Sequence, residues 1–124
     1  MSQVFAILAV LAIIYLVPFA IYGGASAMGW IKAPSQVSPR TFLLGILVSK
    51  LGTATAFVLI IHITAPLWAG RWLLYAALWF FMFAVSELGD AIARRSPWRE
   101  ALLGVVSEAI YLPAAAYVAF RLLG

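Results

Sequence analysis

Four side chains that could do chemistry fall within long apolar runs of this sequence: Lys50, Glu87, Asp90 and Glu108. A charge at the centre of a membrane helix costs about 2.5–3.5 kcal/mol on insertion scales, so such residues face a bundle interior or a wet cavity and pair with one another. Glu87 and Asp90 are three apart and share a helix face; Arg94, four beyond Asp90, can reach it in the same way. Lys50 is the single deep cation, and so the expected partner of Glu87 or Glu108. Fully ionised, the group would sum to −2, one ammonium against three carboxylates. Crowded carboxylates out of water do not all ionise, so at least one is expected to carry a proton.

Two uses fit such a group. It can be a buried ion-pair network that keeps three helices in register, with Lys50 snorkelling toward the head groups. It can also be a polar pocket that serves as an ion, proton or substrate site. Acid–base chemistry on a lipidic substrate arriving sideways from the bilayer is a third possibility for paired carboxyls. The rest of the inventory is sparse. No Cys is present, and one His with four carboxylates leaves little for a metal site or a catalytic triad. No phosphate-binding glycine loop, metal-spaced His pair or Ser-His-acid set occurs, and no metal or cofactor is expected. His62 lies twelve positions from Lys50, about 120° around a helix, and is expected outside the charged group.

The elements that must carry these residues follow from composition. Of 124 residues, 66% are hydrophobic and 10% are charged, too few charges to cover a soluble domain, which carries about 25%. Four apolar segments reach the ~20 residues a helical span needs: Val4–Gly24, Thr41–Pro66, Trp72–Ile92 and Ala101–Leu122. Four spans cannot close a barrel, and lipid leaves no other partner for backbone polar groups, so helices are required. The expected fold is all-α, one polytopic membrane domain with four helices in an up-down bundle. The first segment is expected to stay as a span and not to act as a leader, since no charge precedes Lys32.

Punctuation marks the connections. Gly23-Gly24 is read as the end of the first span, and the stretch from Ala25 to Arg40, with Pro34, Ser35, Ser38 and Pro39, as a loop. Ser38-Pro39 and Ser96-Pro97 each place a capping hydroxyl before a proline at the first helical position. Pro66 and Gly70 bracket a short turn. Pro18 and Pro113 fall inside spans and predict irregularities there. Trp30, Trp68, Trp72 and Trp98 sit at predicted span ends, where indoles favour the interface. Trp79, Phe80, Phe81 and Phe83 form an aromatic run read as packing. Gly45, Ser49, Gly52 and Ala56 form a small-residue stripe on the second span, which suits either packing within the chain or a dimer seam. Thr53 and Thr55 are expected to bond back to their own backbone.

Measured from the span ends that carry Arg40, Arg94 and Arg99, Lys50 and Glu108 lie roughly 13 Å deep, Glu87 roughly 10 Å and Asp90 roughly 6 Å. A partial repeat accompanies this. Ser38-Pro39 precedes Lys50 as Ser96-Pro97 precedes Glu108, with Leu-Leu-Gly and Val-Ser pieces between. It is read either as two related helix hairpins about an axis along the membrane normal or as chance similarity in apolar sequence.

Lys32, Arg40, Arg94, Arg95 and Arg99 share one side, against Arg71 and Arg121 on the other. The positive-inside rule then places the basic loops in the cytoplasm and both termini outside the cell membrane. The net charge of +4 is read as topology and anionic-lipid contact through Arg94, Arg95 and Arg99, with no nucleic-acid partner. Three functions remain: an oligomeric transporter or ion and proton conduit built on Lys50, Glu87, Asp90 and Glu108; an accessory subunit of a larger membrane complex; and a membrane enzyme for a lipidic substrate. The partners expected are the bilayer and either further copies of the chain or a larger complex.

Overall fold

The computed structural model describes residues 2–31, 38–95 and 97–123. They form four helices: α1 (Ser2–Ala27), α2 (Pro39–Trp68), α3 (Trp72–Ile92) and α4 (Trp98–Leu123). Each is long and apolar enough to cross a membrane. Even the shortest, 21 residues, rises about 32 Å, against a hydrocarbon core of about 30 Å. The chain is a small multi-pass membrane protein of all-α, up-down architecture.

Helix α4 is the centre of the packing, lying along both α1 and α3, while α2 leans mainly on α1. Lipid is as apolar as a leucine side chain, so close approach, not burial alone, must hold helices together. The composition of α4 suits that task. Its buried positions include Ala101, Gly104, Ser107, Ala115, Ala116 and Ala119, small enough to let α1 and α3 approach from two directions. Helix α1 answers with Ala6, Val10 and Ile14, one residue per turn.

The two ends of the molecule differ. The end that carries the Ala69-Gly70 turn is tightly filled. Phe57 of α2 meets Tyr75 and Trp79 of α3 edge-on or tilted, at 4.9 and 5.3 Å between ring centres. Tyr75 also meets Trp68 edge-on and Phe120 at a tilt, and donates its hydroxyl to the Phe57 carbonyl. Trp79, Phe80 and Phe83 pack against this core, and Phe81 faces outward. The buried positions of α1 and α2 all lie in this half. Toward the end that carries Arg40, Arg94, Arg95 and Arg99, hereafter the basic end, neither helix buries a residue, and the two diverge.

Several boundaries differ from those read in the sequence. Gly23-Gly24 does not end α1, which continues to Ala27; the break comes at Gly29, whose φ of 78° needs a glycine. Pro66 lies inside α2, and the turn is Ala69-Gly70, with φ of 50° and 77°. The proline is accommodated because Thr64 leaves helical geometry, at φ −108° and ψ 16°. Its hydroxyl donates to the Ile60 carbonyl and accepts from Trp68 Nε1. Arg71 then caps the exposed carbonyls of Leu67 and Trp68, at 2.9 Å each. Ser38 caps α2 as expected, accepting from the Thr41 amide at 3.1 Å with Pro39 in the first turn. Thr53 and Thr55 donate to Ser49 and Leu51 carbonyls. Lys32, Pro34, Ser35 and Ser96 lie outside the described residues; α4 starts at Trp98, just after Pro97.

The packing does not carry a two-fold relation between hairpins. Such an axis would make the α2–α3 contact equivalent to α1–α4, yet α1 and α4 pack closely along their backbones while α2 and α3 do not.

Candidate functional site

The site begins with an absence on α4. Gly104 presents bare backbone to α3, and the carboxyl group of Glu87 occupies the space; a Cβ on residue 104 would overlap that group. One turn further along the same face, Glu108 points inward and is 5% exposed. The two carboxyl groups come within hydrogen-bonding reach of each other. Neither is fully satisfied: Oε2 of Glu87, Oε1 of Glu108 and the neighbouring Ser107 hydroxyl are buried without a partner. Buried polar atoms in native proteins almost always have one, so this cluster has the capacity for a further proton or ligand.

Lys50 approaches from α2, but does not form the expected ion pair with Glu87 or Glu108. Among the described residues, the salt bridge observed is between Arg95 and Asp90. Instead, the Lys50 ammonium donates to the Tyr111 hydroxyl at 3.3 Å and lies 4.7 Å from the ring centre. The reason is geometric. Helix α2 rests mainly on α1 and touches α4 only sparsely, and the group on α4 that Lys50 meets is the long side chain three residues past Glu108. Both carboxyl groups remain within electrostatic range of the ammonium. The order is thus Lys50, Tyr111, Glu108, Glu87, across α2, α4 and α3.

Asp90 does not join this group. It pairs with Arg95 at 3.8 Å, with side chains 46% and 76% exposed, a surface contact worth ~0–1 kcal/mol. The partner is Arg95 and not Arg94, because the helix has ended: Ala93 is the C-cap and Arg94 has a left-handed φ of 60°. Arg94 and Arg95 face outward at the basic end. Arg99 turns inward to the α1 terminus, donating to the Trp30 carbonyl at 3.2 Å with its guanidinium 5.5 Å from the indole. His62 lies apart, exposed near the turn end, and accepts from the Gln3 amide at 3.2 Å.

Where α1 and α2 diverge, a partly open cleft of about 810 Å³ runs from the basic end to Lys50. Its walls are Tyr15, Pro18, Phe19 and Tyr22 of α1 and Phe42, Gly45, Ile46 and Ser49 of α2, each set at helical spacing. Glu100 of α4 stands at its mouth, and its backbone carbonyl accepts from Tyr22 at 3.2 Å. Tyr111, Glu108 and Glu87 lie behind Lys50 and do not line the cleft. Glu87 and Glu108 supply two carboxylates, and among the described residues no group of three potential ligands is placed to hold a metal.

Sequence reasoning overlooked Gly104, Tyr111, Tyr22 and Glu100. Tyr111 was within reach of inference, since it lies three residues from Glu108 and shares its face. Gly104, four residues before Glu108, shares it as well. Tyr22 and Glu100 carried no such signal, because their place depends on how α1 crosses α4. Comparison with protein-family models, with curated proteins and with solved structures finds no match.

Proposed function

We propose that this protein is a small proton-coupled transporter, working as an oligomer, in which the Glu87–Glu108 pair holds the exchangeable proton. The observation that carries the reading is the buried carboxyl pair with unpartnered oxygens, set behind the Lys50 that ends the cleft. Two carboxyl groups in contact and out of water share a proton more cheaply than they bear two charges. Lys50 and Tyr111 stand between that proton and the cleft. Negative charge on the pair is favoured while the ammonium is near and disfavoured when an anion neutralises it. That coupling is what joint movement of a proton and a second solute requires. The packing suits it too: the cleft reaches the site from the basic end, while the aromatic cluster of Phe57, Tyr75 and Trp79 closes the other. Access from one side at a time is the form of an alternating-access carrier.

On the positive-inside rule, this reading has the basic end in the cytoplasm of a cell-membrane protein and both described termini outside. Four helices enclose little volume, so further copies are expected to complete the path. In proteoliposomes under an imposed pH gradient, the wild-type chain is expected to move protons and the Glu87→Gln/Glu108→Gln variant to lose that flux. Equal flux in both would end the proposal.

A second reading, an accessory subunit of a larger complex, draws on the small-residue stripe. Gly45, Ser49, Gly52 and Ala56 are all exposed, and nothing in the chain approaches within 4 Å of where a Cβ would stand on Gly45 or Gly52. The stripe therefore does not serve packing within the chain. Purification from the native membrane in mild detergent separates the readings: a homo-oligomer supports the transporter, a hetero-complex the subunit.

A further inference from the structure

The cleft and its ammonium specify a class of ligand beyond the proton. Ligand pockets commonly enclose about 300–1,000 Å³ and are mostly apolar, with a few placed polar groups. The α1–α2 cleft, about 810 Å³, has that character: aromatic and aliphatic walls with Lys50 at the inner end. The ammonium has the Tyr111 hydroxyl and ring as its observed partners, and among the described residues no carboxylate pairs with it within 4 Å. A partly desolvated ammonium with no carboxylate in direct contact favours a bound anion, since charge-assisted hydrogen bonds to carboxylate are about twice as strong as neutral ones. An inorganic anion would gain nothing from the walls. A hydrophobic cation would meet Lys50 at the inner end, with the one carboxylate of the lining, Glu100, near the mouth.

We propose that the cleft binds an apolar organic carboxylate, with its acid group on the Lys50 ammonium and its hydrocarbon body along Phe19, Tyr22, Phe42 and Ile46. The absence of side-chain bulk at Gly45 gives the body its room. In this position the ligand's charge lies on the far side of Tyr111 from the carboxyl pair. As the transporter's co-substrate the ligand rests on the function proposed above; as a ligand of the cleft it does not.

The test is equilibrium binding of tritiated phenylbutyrate to the full chain in phosphatidylcholine nanodiscs, read by scintillation proximity. Saturable binding is expected, with the neutral amide phenylbutyramide competing about ten-fold more weakly for want of the charge-assisted bond. Lys50→Gln is expected to weaken binding about ten-fold and Lys50→Arg to retain it. Gly45→Leu fills the cleft with a good helix former and is expected to abolish binding without unfolding the chain. The Glu87→Gln/Glu108→Gln variant leaves Lys50 in place and is expected to bind still. Non-saturable binding, equal competition by the amide, or unchanged affinity in Lys50→Gln and Gly45→Leu would overturn the proposal. Phenylbutyrate binding that follows Lys50, together with proton flux that survives loss of both carboxyls, would sustain this site and remove only the proton role. Lost flux with no phenylbutyrate binding would do the reverse.

Discussion

Gly104 decides where the Glu87 carboxyl can go. An alanine there would raise helix propensity by about 1 kcal/mol, while its Cβ would overlap that carboxyl, the end of a flexible side chain that can swing aside. Gly104→Ala is therefore expected to keep or raise the thermal midpoint in detergent and to move Glu87 away from Glu108, read as a weakened or shifted infrared band of the protonated carboxyl group. An unchanged band in Gly104→Ala would show that the Glu87 carboxyl is elsewhere. Tyr111→Phe acts on the other side of the pair. It leaves the ring under the ammonium but removes the hydroxyl that accepts from Lys50, at a cost of about 0.5–1.5 kcal/mol. At this scale the sequence showed which ionisable residues lie deep, because charge inside an apolar run is visible without coordinates. It did not show their partners. Lys50 met Tyr111 and not a carboxylate, and Asp90 met Arg95 and not Arg94, because partner choice turns on helix rotation and on where the helix stops.

The helices themselves are held by their ends as much as by their faces. Ser38 and Arg71 cap the two ends of α2, and the turn to α3 needs a left-handed residue at Gly70. Gly70→Ala is expected to cost about 1–2 kcal/mol, the penalty for an L-residue in that region, and to be read as a lower thermal midpoint. Length and hydropathy made all four spans legible, and the Ser38-Pro39 start was legible as well. Gly23-Gly24 and Pro66 misled, because residues that break helices in water are tolerated within membrane helices, where neighbouring groups re-satisfy the backbone. Helix α2 also offers an experiment on assembly. The chain has no cysteine, so a single Ser49→Cys on the exposed stripe is expected to give a disulfide-linked dimer on mild oxidation if copies meet there. A monomer band under the same oxidation would show that copies do not meet at this stripe.

For the molecule as a whole, the asymmetry between its ends carries the functional argument. One end is filled by aromatic rings from α2, α3 and α4; the other opens between α1 and α2 onto Lys50. No pattern in the sequence showed that opening, since it arises from the angle at which α1 and α2 separate once their buried residues run out. The partial repeat suggested a symmetry that the packing lacks, with α4 at the centre instead of an axis between hairpins. Everything proposed for function converges on the Glu87–Glu108 pair behind the opening and on the proton that it is proposed to share. Infrared spectroscopy of the purified protein in membranes at neutral pH observes that proton most directly, through the carbonyl stretch of a protonated carboxyl group and its shift in heavy water. The wild-type protein is expected to show such a band, Asp90→Asn to keep it, and Glu87→Gln/Glu108→Gln to lose it. A wild-type spectrum without the band, or a band that persists when both glutamates are gone, would contradict the account.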